Sequence, residues 1–265
     1  MKKLIIPLLF SFLSTLFIAP LGSATDSPLA TTRATSQEPV DDDRIAALWV
    51  GDLDENTSLK KRNRLCTVSF LGDNVWVTAR HCAENAEESP AYLEQSDGER
   101  AKVVSTDPVP DNTDIALVTT APGIKARPFE LPTHSLNTGD IANLTGYGLT
   151  HDFASTAVVR ITQRLKSQKL GPSTFKDILE SESITPSRSC DGDSGAPVYI
   201  ENVIYAVHSA GGFNPSCLDG INRKMWHSDI FPQVEWIKSK LPHNGSPAPM
   251  VNGTSSSLSP QSSFK

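Results

Sequence analysis

The sequence predicts an all-β protein of sandwich or barrel architecture, finished by one C-terminal helix. Three observations carry that expectation. Short apolar runs bounded by Gly, Pro or Asn recur along the middle of the chain, two of them abut as a hairpin, and a helical period emerges only near the end. Ile45–Val50 is a compact apolar run that stops at Gly51-Asp52. Leu65–Leu71 alternates, meets Gly72-Asp73-Asn74, and is followed at once by Val75–Thr78, which reads as a hairpin. Ile115–Val118, Ile141–Leu144, Pro197–Ile200 and Val203–Val207 are further strand candidates with turn residues at their margins. In Phe231–Leu241 the residues Val234, Ile237 and Leu241 share one face and lysines fill the final turns, so a helix is expected there.

Composition limits what this body can be. The chain has 265 residues, with 24 Lys+Arg against 30 Asp+Glu for a net charge of −6, and is 38% hydrophobic and 20% charged. That is globular usage with enough apolar side chains for a sizeable core, and it excludes collagen-like, wholly disordered and multi-span membrane classes. The acidic balance gives no phosphate-tracking surface, so no nucleic-acid partner is expected. Met1-Lys2-Lys3, the apolar run from Leu4 to Pro20 and the small residues Gly22-Ser23-Ala24 read as a signal peptide over residues 1–24. The run is short for a bilayer span and contains Pro7 and Pro20, so no stable membrane anchor is expected. Its removal leaves 22 basic and 30 acidic groups, net −8. A secreted location, extracellular or periplasmic, follows, where the four cysteines can pair. Residues 25–42 read as a flexible leader or pro-segment, 242–265 as a disordered tail, and no internal repeat is visible in the body between.

Three motifs carry chemistry, and their order matters. Thr78-Ala79-Arg80-His81-Cys82 follows a strand, Asp114-Ile115-Ala116-Leu117 puts an acid at the head of another, and Gly192-Asp193-Ser194-Gly195-Ala196-Pro197 leads a glycine-flanked serine into a third. A serine hydroxyl is a poor nucleophile unless a base takes its proton, a buried carboxylate fixes the tautomer of that base, and backbone N–H groups face the developing oxyanion. His81, Asp114, Ser194 and the amides of Gly192 and Ser194 can supply each part. Taken singly, the Gly-Asp-Ser-Gly string is as readily a turn, and Asp114 a strand-capping acid; their conjunction in this order is what argues for a site.

In these motifs the sequence resembles the trypsin/chymotrypsin-like serine endopeptidases, whose order along the chain is His, Asp, Ser. The resemblance runs from about Asp43 to Leu241 and includes Thr145-Gly146-Tyr147-Gly148 and Gln233–Lys238. It implies two six-stranded antiparallel β-barrels with a C-terminal helix, one over residues 43–135 with His81 and Asp114, the other over 136–241 with Ser194. It further implies a Cys66–Cys82 and a Cys190–Cys217 disulfide, protein or peptide substrates, no cofactor, and a monomer. Metal-dependent hydrolysis is disfavoured because the six histidines show no ligand spacing. Two other functions remain open: a non-catalytic binding protein of the same fold, and an esterase using the same triad.

Two departures from the family pattern bear on mechanism. No Ile-Val-Gly-Gly start is present, and Asp41-Asp42-Asp43-Arg44-Ile45 reads either as a zymogen activation site or as the approach to the Ile45–Val50 strand. The strand reading is preferred, with Asp193 then bonded internally. The second departure is the specificity pocket, expected from Arg188, Asp191, His208, Ser209 and Gly211. Arg188 stands where trypsins carry Asp, Met225 where glycine is frequent, and His208 adds a second cation, so the expected preference is non-tryptic and acidic.

Overall fold

The computed structural model describes residues 38–51, 63–87, 89–148, 151–186, 189–211 and 224–242. Six strands close the first barrel: β1 (Ile45–Val50), β2 (Asn63–Gly72), β3 (Val75–Thr78), β4 (Ala91–Glu94), β5 (Arg100–Pro108) and β6 (Ala116–Thr120), in the order β1-β2-β3-β6-β5-β4. Six more close the second: β7 (Ile141–Gly146), β8 (Ser155–Leu170), β9 (Ser173–Ser183), β10 (Pro197–Ile200), β11 (Val203–Gly211) and β12 (Lys224–Asp229), in the order β10-β11-β12-β9-β8-β7. Neighbouring strands pair antiparallel throughout. The expected two-barrel architecture is the observed one. Full closure leaves neither sheet an open edge.

Local chemistry explains the turns and the interior. Between β2 and β3 Asp73 and Asn74 hold φ of 50° and 63°, the left-handed pair of a two-residue hairpin whose twist matches its strands. β1 and β3 bury nearly every residue, because the barrel interior takes one face and packed neighbours take the other. Ile45, Leu48, Val68, Trp76, Leu93 and Ile115 form the heart of the first core. Leu144, Val159, Ile161, Leu179, Val198 and Met225 form that of the second. The chain end is a 3-10 turn (Phe231–Gln233) running into α2 (Val234–Lys240), whose Val234 and Ile237 are buried in the first core. Lys240 also reaches Asp107 of β5 at 2.6 Å. The predicted helix is therefore present, and it fastens the end of the second barrel to the first.

Several elements were not expected from sequence. α1 (Arg80–Glu87) follows β3 directly and buries only Cys82, Ala83 and Ala86. β8 and β9 run beyond the barrel as a polar two-stranded arm, paired as far as Leu170 with Ser173. The arm meets the first barrel just before Asp114. There the Lys176 N–H donates to the Asn112 carbonyl at 3.0 Å, Asn112 Nδ2 donates to the Thr174 carbonyl, and Lys176 Nζ lies 2.7 Å from Asp111. The signal-peptide, tail and Arg188 readings lie outside the described residues, as does most of the leader. No helix among the described residues is long and apolar enough to cross a membrane.

Candidate active site

His81 is held by three connections. It is the second residue of α1, and the following residue, Cys82, is disulfide-bonded to Cys66 of β2 with a Cα–Cα separation of 6.2 Å. Its backbone N–H donates to Asp114 Oδ1 at 3.1 Å, and its Nδ1 lies 3.1 and 3.0 Å from the two carboxylate oxygens of Asp114. Asp114 is completely buried two residues ahead of β6, so its charge is matched by these donors rather than by water. A carboxylate on Nδ1 keeps the proton there and leaves Nε2 with a free lone pair, the tautomer of a base. Burial works against the imidazolium, but the hydrogen bond and charge of Asp114 outweigh it and hold His81 above the ordinary histidine pKa. The loop before Asp114 is pinned as well: Arg80 Nη1 donates to the Asp111 carbonyl at 2.7 Å and Gln233 Nε2 to Asp111 Oδ2 at 3.0 Å.

Ser194 lies in a turn that glycine makes possible. Gly192 and Gly195 adopt φ of 95° and 86°, left-handed conformations that cost a side-chain-bearing residue. A Cβ on Gly195 would collide with the Thr67 carbonyl and the Thr78 hydroxyl, so the turn presses against the bend that leads into His81. The Ser194 carbonyl accepts the Thr67 N–H at 2.8 Å, the Thr67 hydroxyl donates to the Gly192 carbonyl at 2.9 Å, and the Gly195 N–H donates to the His208 carbonyl at 2.8 Å. Among the described residues no carbonyl accepts from the Gly192 or Ser194 N–H, and no hydrogen bond joins Ser194 Oγ to His81. Such bonds are often long without substrate and tighten when it binds.

Asp193, beside the serine, points inward. Its carboxylate accepts the Cys190 N–H at 2.8 Å and the Gly148 N–H. Side chains at Gly146 or Gly148 would run into it, which explains the two glycines of the Thr-Gly-Tyr-Gly string. Burial pushes Asp193 up to about 7, against the pull of those two N–H groups and of Arg64. Ile45 is buried within β1, its N–H donating to the Asp42 carbonyl at 3.1 Å. The strand reading and the internal bonding of Asp193 both hold.

The expected pocket is only partly assembled by the described residues, and one expectation about it is overturned. Arg188 and Cys217 lie outside them; Cys190 is disulfide-bonded. Asp191 is exposed and Gly211 ends β11 opposite Met225, which is fully buried. Ser209 turns to Ser228, hydroxyl to hydroxyl at 3.1 Å. His208 is not a cation facing the cleft. It is 2% exposed, its Nδ1 meets His227 Nδ1 at 3.1 Å, and His227 Nε2 meets Ser181 Oγ at 2.7 Å. Burial, reinforced by the neighbouring His227 and His81, holds His208 well below the usual histidine pKa, and burial alone takes His227 to about 3. A Cys66, His81 and Cys82 grouping offers metal-ligand types, but both sulfurs are used in the disulfide, so it lacks the thiolates a metal would need. Thr67, His227 and Ser181 escaped the sequence reading; polar residues inside alternating strands look like ordinary ladder positions.

Comparison with known proteins bears directly on this geometry. The trypsin family model matches residues 48–223, well over half of the chain. The chain belongs to the trypsin family. Two Corynebacterium glutamicum proteins, one an uncharacterized peptidase and the other a peptidase by provisional name, are 26% identical over 89% of this chain and 84% of theirs. Among solved structures, neuropsin, a serine protease expressed in the limbic system of mouse brain, superposes with a TM-score of 0.58 at 17% identity, over 77% of this chain and 97% of that one. Kallikrein-related peptidase 10 gives 0.57 at 16% identity, over 74% and 94%. At such identities these two establish the shared fold of this trypsin-family chain.

The high pKa of Asp193 has a measurable sign. Between the unfolded carboxylate value near 3.8 and the folded value of about 7, the folded state holds a proton the unfolded chain has released, so this group lowers stability as pH rises through that window. Asp193→Asn removes the titration. Its urea midpoint is expected to gain on the parent between pH 4.5 and 7, by on the order of 1 kcal/mol per pH unit at most; a constant difference between the two proteins would refute the burial argument.

Proposed function

We propose that the protein is a secreted serine endopeptidase that cleaves peptide bonds through an acyl-enzyme on Ser194. His81 acts as general base and then general acid, Asp114 holds its tautomer and stabilises the imidazolium, and the Gly192 and Ser194 amides receive the oxyanion. The single observation that carries this reading is the buried Asp114 carboxylate on His81 Nδ1, which leaves Nε2 as an acceptor, while the bend leading into His81 packs against Gly195 of the serine turn. Family membership supports the reaction class. The intact His-Asp-Ser order favours an enzyme over a non-catalytic binding protein. Neither a metal nor a cofactor enters any step.

Specificity is read as non-tryptic. Arg188 stands where trypsins carry an acid, Met225 fills a position where the family frequently has glycine, and His208 is neutral at pH 7. A cationic substrate side chain would therefore find no buried counter-charge from these residues, while an acidic one loses the second cation first expected for it.

Four measurements test these proposals. Ser194→Ala and His81→Ala should each lower casein turnover by about 10⁴ or more, and Asp114→Asn should leave a small remnant. Labelling of the parent by a serine-directed phosphonofluoridate with casein uncut would point to an esterase, and no labelling to a binding protein. kcat/KM should climb from pH 6 to 8, because below the raised His81 pKa the imidazole is protonated and cannot take the serine proton, and neutral Asp193 is a weaker acceptor for the Cys190 and Gly148 N–H groups; a flat profile would remove His81 as the base. Peptide-library profiling should show little cleavage after Arg or Lys, and dominant cleavage there would defeat the specificity reading.

A further inference from the structure

Asp114 stands two residues ahead of β6, outside the ladder that begins where Ala116 pairs with Thr78 and Pro108. Strand pairing therefore does not by itself place its carboxylate, which has to meet both the N–H and Nδ1 of His81. The loop before it does the placing, and Asp111 is the hub of that loop. Asp111 Oδ1 accepts the Thr113 N–H at 2.9 Å, a side-chain bond that folds the chain back two residues on. Asp111 is half-buried, whereas Thr113 and Asp114 are completely buried. The turn thus carries the chain from the surface to the buried carboxylate.

Three other elements converge on the same residue. Asp111 Oδ2 accepts Gln233 Nε2 at 3.0 Å from the turn before α2 and lies 2.7 Å from Lys176 Nζ of β9, while the Asp111 carbonyl accepts Arg80 Nη1 at 2.7 Å. Gln233 is 6% exposed and also donates to the Thr113 hydroxyl at 3.3 Å, so water competes little for either bond. Burial works against the Asp111 charge, yet Lys176, Thr113 and Gln233 together hold its carboxyl below the usual aspartate pKa. Arg80 immediately precedes His81, so the helix that presents the imidazole also grips the loop that presents the carboxylate. Of all these contacts, the bond to Thr113 is the one that acts inside the short segment leading to Asp114.

We propose that Asp111 is a positioning residue of the His81–Asp114 pair: its turn onto Thr113 sets where the Asp114 carboxylate meets the imidazole. The inference rests on the peptidase reading above and adds to it a residue that acts through Asp114. Misplacement of such a group by about 1 Å can cost on the order of 10²-fold in rate.

Two substitutions separate position from charge, and both keep a polar side chain at a half-exposed site, so both should fold. Asp111→Asn loses the charge but keeps an oxygen for the Thr113 N–H, and Gln233 can turn its amide to face the new one. Asp111→Glu keeps the charge, but its added methylene carries the carboxylate past the Thr113 N–H. Around His81 the charged or titratable groups are Asp114, Glu84 and Arg80 of α1, and the buried neutral His208; neither substitution replaces any of them. An Asp114 displaced from Nδ1 no longer raises the His81 pKa, so the ring should titrate lower. By proton NMR of that ring, Asp111→Glu should bring the His81 midpoint down by about half a pH unit or more, and Asp111→Asn should stay close to the parent. On casein, Asp111→Glu should lose about tenfold or more in kcat with KM within about twofold, and Asp111→Asn should keep about half of the parent kcat or more. Equal midpoints in the parent and both variants, equal shifts in the two variants, a larger shift in Asp111→Asn, or a change confined to KM would overturn the proposal. Should the parent leave casein uncut, the peptidase reading fails separately, and the NMR titration, which needs no turnover, still decides the role of Asp111.

Discussion

Thr67 is the residue on which the two barrels agree. It is completely buried, and each of its polar groups is matched. The N–H donates to the Ser194 carbonyl at 2.8 Å, the hydroxyl donates to the Gly192 carbonyl and accepts the Tyr147 N–H at 2.9 Å each, and the carbonyl accepts the Thr78 hydroxyl at 2.8 Å. A buried network of this kind is worth having only when complete, since one missing partner leaves a desolvated group unpaired. Here it is complete, and it ties a strand of the first barrel to the Gly192–Gly195 turn of the second. The relation of Ser194 to the His81 bend is therefore set by the bonds of Thr67 rather than by the His81, Asp114 and Ser194 side chains themselves.

Around that junction the protein treats two buried carboxylates in different ways. Asp114 receives a backbone N–H and the ring of His81, a partner able to take positive charge. Asp193 receives backbone N–H groups only, with Arg64 acting from farther off, and burial prevails. The first arrangement can support a positive charge on the His81 ring; the second shapes the turn. Nearby, His208 and His227 face each other in the interior as neutral rings, so they stabilise the second barrel by a hydrogen-bonded chain ending at Ser181.

How much of this could be read from the chain depended on whether burial wrote a period into it. Leu65–Leu71 and Val75–Thr78 line a barrel, and the Asp73-Asn74 turn between them is spelled by residues that tolerate positive φ. The strand bearing Ile45 was legible for the same reason. α1 was not: it buries small residues only, and its Arg, His, Asn and Glu side chains give no apolar stripe. The outer reaches of β8 and β9 were also invisible, because pairing between two polar strands, not a buried face, supports them. The order His81, Asp114, Ser194 was plain in three short strings, but the charge of His208 was misjudged, since its state is set first by burial inside the second barrel and then by His227 beside it. A cavity lined in part by Trp49, Arg64, Glu94, Arg100, Tyr147 and Phe153 gathers residues from four strands and two loops, an arrangement no local pattern encodes.

The arm formed by β8 and β9 adds a property of the cleft region that concerns the medium rather than the substrate. It is latched to the loop ahead of Asp114 in two ways, by an exposed Lys176–Asp111 ion pair and by two hydrogen bonds involving main-chain groups of Lys176, Asn112 and Thr174. Dissolved salt shortens the reach of the first to a few ångströms at molar concentration and leaves the second almost untouched. The latch is thus built with redundancy against ionic strength: in dilute solution both fastenings act, and in brine the neutral one keeps the Asp111–Asp114 loop in place.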